Sequence, residues 1–131
     1  MSDAKRRTDV AIEEARKLGF DVIMGDNDHL LLDLDTPEQL AQYEIQKHMA
    51  NDVYGLVEVS RWNSINDHWH VLAKLKRPLE AAQRVAVQAA LGSDPRREML
   101  AVNLLLQYPN EEPCILFKPT PIARANYKPI C

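Results

Sequence analysis

The sequence predicts a two-layer α+β domain, in which a mainly antiparallel sheet carries helices packed on one face. Short apolar runs bounded by turn residues indicate strands that return as hairpins. Longer segments with apolar side chains every three or four residues indicate helices between the hairpins. A chain of 131 residues, 46% hydrophobic and 27% charged, can bury one core without staples. We therefore expect a single domain over residues 1–118.

The first half of the chain is predicted to hold two helices and a hairpin. Residues 3–18 have helical periodicity, and Gly19 is expected to end that helix. FDVIM and HLLLDLD flank the turn residues GDND, which predicts a β-hairpin. The segment TPEQLAQYEIQKHMA begins a helix with Thr36 as N-cap, Pro37 at the first helical position and Gln39 in a capping box.

The second half is predicted to hold a hairpin, two helices and a last strand. VYGLVEVSRW and HWHVLAKLK alternate around the turn NSIND, so they read as paired strands. Helices are expected from Pro78 to Leu91 and from Pro95 to about Leu106, separated by GSDP, and EEPCILFK forms the last strand. Residues 119–131 contain three prolines and are expected to be a loosely ordered tail.

The side chains of HWHVLAKLK should alternate between the two faces of the sheet. The face turned toward the core is expected to carry Trp69, Val71, Ala73 and Leu75. The other, more polar face is expected to carry His68, His70, Leu72 and Lys74.

Composition argues against several classes of protein. No run approaches the ~18 apolar residues of a membrane span. The charged N-terminal segment lacks the apolar stretch of a signal peptide. We expect a cytoplasmic protein, in the host cytoplasm if it is phage-encoded. Cys114 and Cys131 make neither a disulfide framework nor a zinc site, and Cys114 is expected to be a small buried hydrophobe.

Charge is unevenly distributed, although the net charge is only −3. Residues 21–46 hold seven acids and no Lys or Arg, whereas residues 74–97 hold six bases and two acids. An acidic pole beside a basic one suits metal ions together with phosphates. Two solvated faces would give the same pattern.

Asp33 and Asp35 follow a run of leucines in HLLLDLD. Residues i and i+2 of a strand share a face, so the two carboxylates should repel unless a cation lies between them. Mg²⁺ and Mn²⁺ prefer such oxygen ligands. The alternative is a solvated strand end leading into the helix at Thr36.

HWH and GSDPRR supply further candidates. His70 and Lys74 share the polar face of their strand and suit phosphate or metal. HWH also matches the His–hydrophobic–His pattern of rolling-circle nucleases, for which Tyr43 is the available nucleophile. Asp94 is either the N-cap of the following helix or a third carboxylate. Arg96 and Arg97 stand in the first helical turn, where basic side chains oppose the helix dipole, and a phosphate is the obvious candidate to bind them.

Taken in order, the strand end HLLLDLD, the segment HWHVLAKL and the motif GSDP resemble the archaeo-eukaryotic primase superfamily, especially small phage and plasmid primase–polymerase cores. The likeness covers residues ~28–118. It implies an RRM-like palm sheet, with Asp33, Asp35 and Asp94 holding Mg²⁺ or Mn²⁺ ions and His70 binding the phosphates of the nucleotide.

The resemblance implies metal-assisted nucleotidyl transfer in DNA replication or repair, acting on nucleotides and single-stranded nucleic acid beside other replication proteins. Lys74 or Arg96 would assist His70, and Trp62 or Trp69 could stack a base. Unlike the family pattern, no glycine precedes the histidine in SRWNSINDHWH. Two alternatives stay open: a non-catalytic module that binds nucleic acid or protein, and a metal-dependent nuclease.

Overall fold

The computed structural model describes residues 7–64, 66 and 68–126, and it confirms the α+β class. In chain order its elements are α1 Arg7–Lys17, β1 Asp21–Met24, β2 His29–Leu34, α2 Pro37–Tyr54, β3 Val57–Asn63, β4 Trp69–Lys74, α3 Ala81–Ala90, α4 Pro95–Gln107, β5 Ile115–Lys118 and α5 Pro121–Asn126. Among the helices of these residues, none has the length and apolar character needed to cross a membrane.

The strands form two antiparallel sheets, a three-stranded one in the order β2-β4-β3 and a pair, β1 with β5. The predicted pairing of VYGLVEVSRW with HWHVLAKLK is confirmed, with Val57 opposite Lys74 and Asn63 opposite Trp69. The register shifts between Glu58 and Ser60, as at a β-bulge.

The predicted hairpin between FDVIM and HLLLDLD is wrong. β1 pairs with β5, and the turn region contributes only an isolated bridge between Asp26 and His29 among the described residues. Gly25 N donates to Cys114 O at 2.9 Å, which continues the β1–β5 pairing past the end of β1. The chain therefore leaves β1 alongside β5, and β2 is free to pair with β4.

The core occupies both faces of the three-stranded sheet. Leu30 and Leu32 pack with Tyr43 of α2, whereas Leu31 packs with Ala101 of α4 and with Leu116. Alternate residues of a strand point to opposite faces, so α2 covers one face while α4 and the β1–β5 pair cover the other. Helices were expected on one face; a strand with three fully buried leucines in succession requires cover on both.

The caps of α2 and α3 provide hydrogen-bond acceptors for backbone N–H groups at the start of each helix. Thr36 Oγ1 accepts from Gln39 N at 3.2 Å, as predicted, while Gln39 Oε1 accepts from Asp35 N at 2.7 Å. The predicted helix from Pro78 begins three residues later, because Glu80 is the N-cap and forms a capping box with Gln83.

Residues 119–131 are more ordered than expected as far as the structure describes them. Residues 121–126 form α5, in which Ala123 is buried. Thr120 Oγ1 donates to Gly19 O, and Arg124 Nη2 donates to Asn63 O at 2.9 Å. These bonds attach α5 to the turn after α1 and to the end of β3. Residues 127–131, including Cys131, lie outside the described residues.

Cys114 is buried, as predicted. Its Sγ lies 3.5 Å from Gln88 Nε2, and burial raises the pKa of its thiol to about 11. The thiol is therefore protonated at neutral pH and acts as a packing group.

A buried ion pair connects α3 to the segment before β5. Arg84 donates from Nη1 and Nη2 to the two carboxylate oxygens of Glu112, at 2.9 and 2.6 Å. Arg84 Nε also donates to Leu79 O at 3.1 Å, and the guanidinium is almost completely buried. Breaking such a pair from one side leaves an uncompensated charge in a region of low polarity.

We expect Arg84→Met to lower the free energy of unfolding by about 3 kcal/mol, because Glu112 loses its partner. The exposed Arg96 provides a matched control, and Arg96→Met should change stability by less than about 0.5 kcal/mol. Urea unfolding followed by circular dichroism measures both. Equal stability of the two variants would show that the pair does not hold this segment.

Candidate metal centre

The pairing of β2 with β4 sets two aspartates against two histidines. Asp33 is the register partner of His70, and Asp35 stands two residues after Asp33, directly after the end of β2. His70 Nε2 lies 3.4 Å from Asp33 Oδ1, and His68 Nδ1 lies 2.9 Å from Asp35 Oδ1. Both carboxylates therefore have an imidazole beside them.

Asp94 brings a third carboxylate to this pair. It occupies the N-cap position of α4, as predicted, but its side chain makes no capping hydrogen bond within the described chain. Its backbone N donates to Asp33 O at 2.6 Å, which holds the start of α4 against β2. One oxygen from each of Asp33, Asp35 and Asp94 lies within 4.8 Å of the others, and all three residues are partly buried. The predicted grouping of these aspartates is therefore present in the fold.

The edge of β2 that carries Asp33 is closed by side chains from α3 and α4. Leu31 N donates to Gln88 Oε1 at 3.0 Å, and Arg97 Nη1 donates to Leu31 O at 2.7 Å. Asp33 N donates to Ser93 Oγ at 3.0 Å. These bonds fix the backbone of the strand on which the first aspartate stands.

The three carboxylates lie close enough to change one another's protonation. Burial raises the pKa of Asp33, but its interactions with the side chains of His70 and Asp35 and the positive charge of Arg97 outweigh burial, so the pKa is lowered overall. Burial and the neighbouring Asp33 raise the pKa of Asp35 from 3.8 to about 6. Asp94 raises it further, against the opposing effect of His68. The site therefore stabilises Asp33 as an anion but does not stabilise the anion of Asp35.

Two buried atoms at this site lack hydrogen-bond partners within the described residues, Asp33 Oδ1 and His70 Nδ1. The 3.4 Å contact from His70 to Asp33 is an electrostatic one without hydrogen-bond geometry. A buried carboxylate oxygen without a donor is costly, and a cation would satisfy it. The three-carboxylate donor set suits a hard divalent ion such as Mg²⁺ or Mn²⁺.

His68 was expected at a metal only through the HWH pattern of the nuclease alternative, and not beside the aspartates. Its side chain is 41% exposed, whereas that of His70 is 12% exposed and packs edge-on to Trp62. The signal was available, because His68 and His70 share the alternation of Asp33 and Asp35. It became informative only once the two strands were known to pair.

Lys74 is not brought to the aspartates, and Arg96, two residues after Asp94, forms no ion pair with any of the three. Lys74 pairs with His29 at the far end of β4, four residues and roughly 13 Å along the strand from His70. Arg96 is exposed in the first turn of α4 and makes no hydrogen bond or ion pair with the described residues. Its neighbour Arg97 points inward instead, toward Leu31 and Glu98.

The two tryptophans considered for base stacking both pack against the protein, Trp69 on the core-facing side, as its strand alternation predicted. Trp62 is buried and donates from Nε1 to Phe117 O at 3.4 Å, so it has little surface to offer a base. Trp69 is only partly buried and packs against the core and the guanidinium of Arg61. Tyr43 is fully buried and donates to Glu58 Oε1 at 2.7 Å; burial and Glu58 raise its pKa.

Comparison with known proteins adds no family to this geometry: no family model, curated protein or solved structure matches the chain. The likeness of its motifs to those of the primase superfamily therefore remains a prediction. What the fold contributes is the arrangement of the three aspartates and two histidines.

We expect Asp33→Asn and Asp35→Asn to change stability in opposite directions in metal-free protein. The lowered pKa of Asp33 means that its stabilising effect is present above the ordinary carboxyl pKa and is lost as the pH falls through the folded value. The raised pKa of Asp35 means that its effect is present below 3.8 and is lost as the pH rises through about 6.

At about pH 7.5, Asp33→Asn should lower the free energy of unfolding by ~1–2 kcal/mol, and Asp35→Asn should raise it by ~1 kcal/mol after allowance for solvent screening. The gain from Asp35→Asn should vanish near pH 4. Urea unfolding with a chelator present measures these values, and the exposed Asp28→Asn is the control. Effects of the same sign at the higher pH would contradict the assignment.

Proposed function

We propose that Asp33, Asp35 and Asp94 bind Mg²⁺ or Mn²⁺, and that the protein is a metal-dependent nucleotidyltransferase of primase–polymerase type. The observation that carries the proposal is the third aspartate. Asp94 stands at an N-cap, yet its side chain lies with the other two carboxylates instead of capping α4. Three carboxylates so close together, one of them with a buried oxygen lacking a donor, are best balanced by a cation.

A bound divalent ion supplies charge neutralisation at the phosphates and activation of an attacking hydroxyl. The residues of this chain orient the ligands. His70 lies against Asp33 and keeps that carboxylate ionised. The hydrogen bond from Asp94 N to Asp33 O holds Asp94 beside β2. His68 is the more exposed imidazole and therefore the better candidate to reach a phosphate. Nucleotides and single-stranded nucleic acid are the proposed substrates, with other replication proteins as partners.

The second candidate function is a non-catalytic binding module on the same fold. It is favoured by the position of Lys74, which lies at the far end of β4 from the aspartates and therefore cannot help them to bind a triphosphate. The nuclease alternative is less well supported. A nucleophilic tyrosine must be accessible and able to lose its proton, whereas Tyr43 is buried, donates to Glu58 and has a raised pKa.

We expect Mn²⁺ to stabilise the wild-type protein against heat, by ~2.7 kcal/mol at a hundredfold excess over the dissociation constant. Asp33→Asn and Asp94→Asn should remove this stabilisation, and Asp28→Asn should keep it. Differential scanning fluorimetry with and without MnCl₂ measures the shift. Equal shifts in all four proteins would place the bound ion elsewhere and end the proposal of a metal centre here.

The same proteins test catalysis. Incorporation of labelled nucleotides on a primed or bare single strand with Mn²⁺ should fall by about a hundredfold or more in Asp33→Asn, ~3 kcal/mol of transition-state stabilisation. Asp28→Asn should retain wild-type activity. A wild-type protein that binds Mn²⁺ through the aspartates and single strands without incorporating nucleotides would favour the binding module.

A further inference from the structure

The outward face of α2 carries a line of exposed apolar side chains. Ile45, Met49 and Val53 follow at intervals of four residues and are 73%, 64% and 45% exposed. That spacing places them along one side of the helix. The opposite side carries Tyr43 and Ala50, which pack in the core. The helix is therefore apolar on two sides, and only one of them is covered by the part of the chain that the structure describes.

A groove runs beside this line, between α2 and α3. Its cavity is about 190 Å³, and its lining is mostly apolar, with Val53 and Tyr54 on one wall and Val87 and Ala90 on the other. Met49 borders both the groove and the exposed line. The exposed side chains thus form a ridge that has an apolar depression next to it.

The two ends of this face carry opposite charge. Glu38 is exposed in the first turn of α2 and stands seven residues before Ile45, which puts both on the same side of the helix. At the other end, the exposed Lys76 lies against Gly55, where an added Cβ would come within 2.7 Å of Lys76 Cβ. Lys76 N donates to Tyr54 O at 3.2 Å, which holds it at the C-terminus of α2.

We propose that this face of α2 is an interface between two copies of the chain, paired antiparallel about a two-fold axis that passes midway between Ile45 and Met49 on the outward side of the helix. Ile45 then lies opposite Met49 of the second copy and reaches its groove, and the reverse contact forms by symmetry. Ala41 lies opposite Val53, and the acidic Asp52 meets the neutral Gln42. Such a face packs against itself as an antiparallel helix pair does.

The charges distinguish a second copy from an unrelated apolar partner. An antiparallel arrangement brings Glu38 of each copy to Lys76 of the other, so two opposite-charge contacts form at the ends of the interface. A parallel arrangement would set like charges together at both ends. Three apolar side chains and one groove make a modest contact, so the dimer is expected to depend on concentration. This inference does not rest on the metal centre.

Sedimentation equilibrium tests the interface. We expect the wild type to pass from monomer to dimer between about 10 μM and about 500 μM. Ile45→Glu should weaken association at least about tenfold, ~1.4 kcal/mol. Leu106→Glu is the matched control, because Leu106 is 79% exposed on α4 and should leave association unchanged. Circular dichroism should report wild-type folding in both variants, since each side chain is exposed.

A charge exchange tests the antiparallel arrangement independently of the apolar contacts. Glu38→Lys and Lys76→Glu should each weaken association, and the double variant should restore it, because the opposite charges then meet again across the interface. A wild type that stays monomeric over the whole range overturns the proposal. So does dissociation by Leu106→Glu with no effect of Ile45→Glu, or a double variant weaker than either single one.

Discussion

The outer edge of β2 is closed by side chains where a further strand would otherwise stand, and the rest of the structure depends on this closure. The backbone of Leu31 donates to the Gln88 side chain and accepts from Arg97. The backbone of Asp33, the next residue whose N–H and C=O point out from this edge, donates to Ser93 Oγ and accepts from Asp94 N. A buried backbone group left unpaired costs about 1–3 kcal/mol. With these bonds, a strand of three fully buried leucines can lie at the edge of its sheet.

One buried carboxylate holds this closure together. Glu98 accepts from Gln88 Nε2 at 2.9 Å, from Ser93 Oγ at 3.0 Å and from Arg97 Nη1. Burial raises the pKa of Glu98, although the positive charge of Arg97 opposes this. The side chains that bond to the backbone of β2 are therefore oriented by Glu98, whose own carboxylate makes no hydrogen bond to the strand within the described residues. Because the same segment presents Asp94, the packing of α3 and α4 and the candidate metal centre form one unit.

Local patterns predicted the elements well, and long-range placement less well. The cap at Thr36 and the strands around NSIND depend on neighbouring residues, so they could be read directly. The hairpin of β1 with β2 could not be judged in this way, since turn residues permit a hairpin but do not exclude a distant partner such as β5. Lys74 shares a face with His70, but a shared face does not make two side chains neighbours.

The sequence by itself determined the α+β class, most of the helices and strands, and the face on which Asp33 and Asp35 lie, because these follow from side-chain period and cap chemistry. The tertiary structure alone decided that Asp94 joins them, that His68 stands beside Asp35, and that Arg97 turns inward while Arg96 stays in solvent. These outcomes depend on contacts between residues 33 to 66 positions apart in the chain. Such contacts form only when the core closes, and no local pattern encodes them.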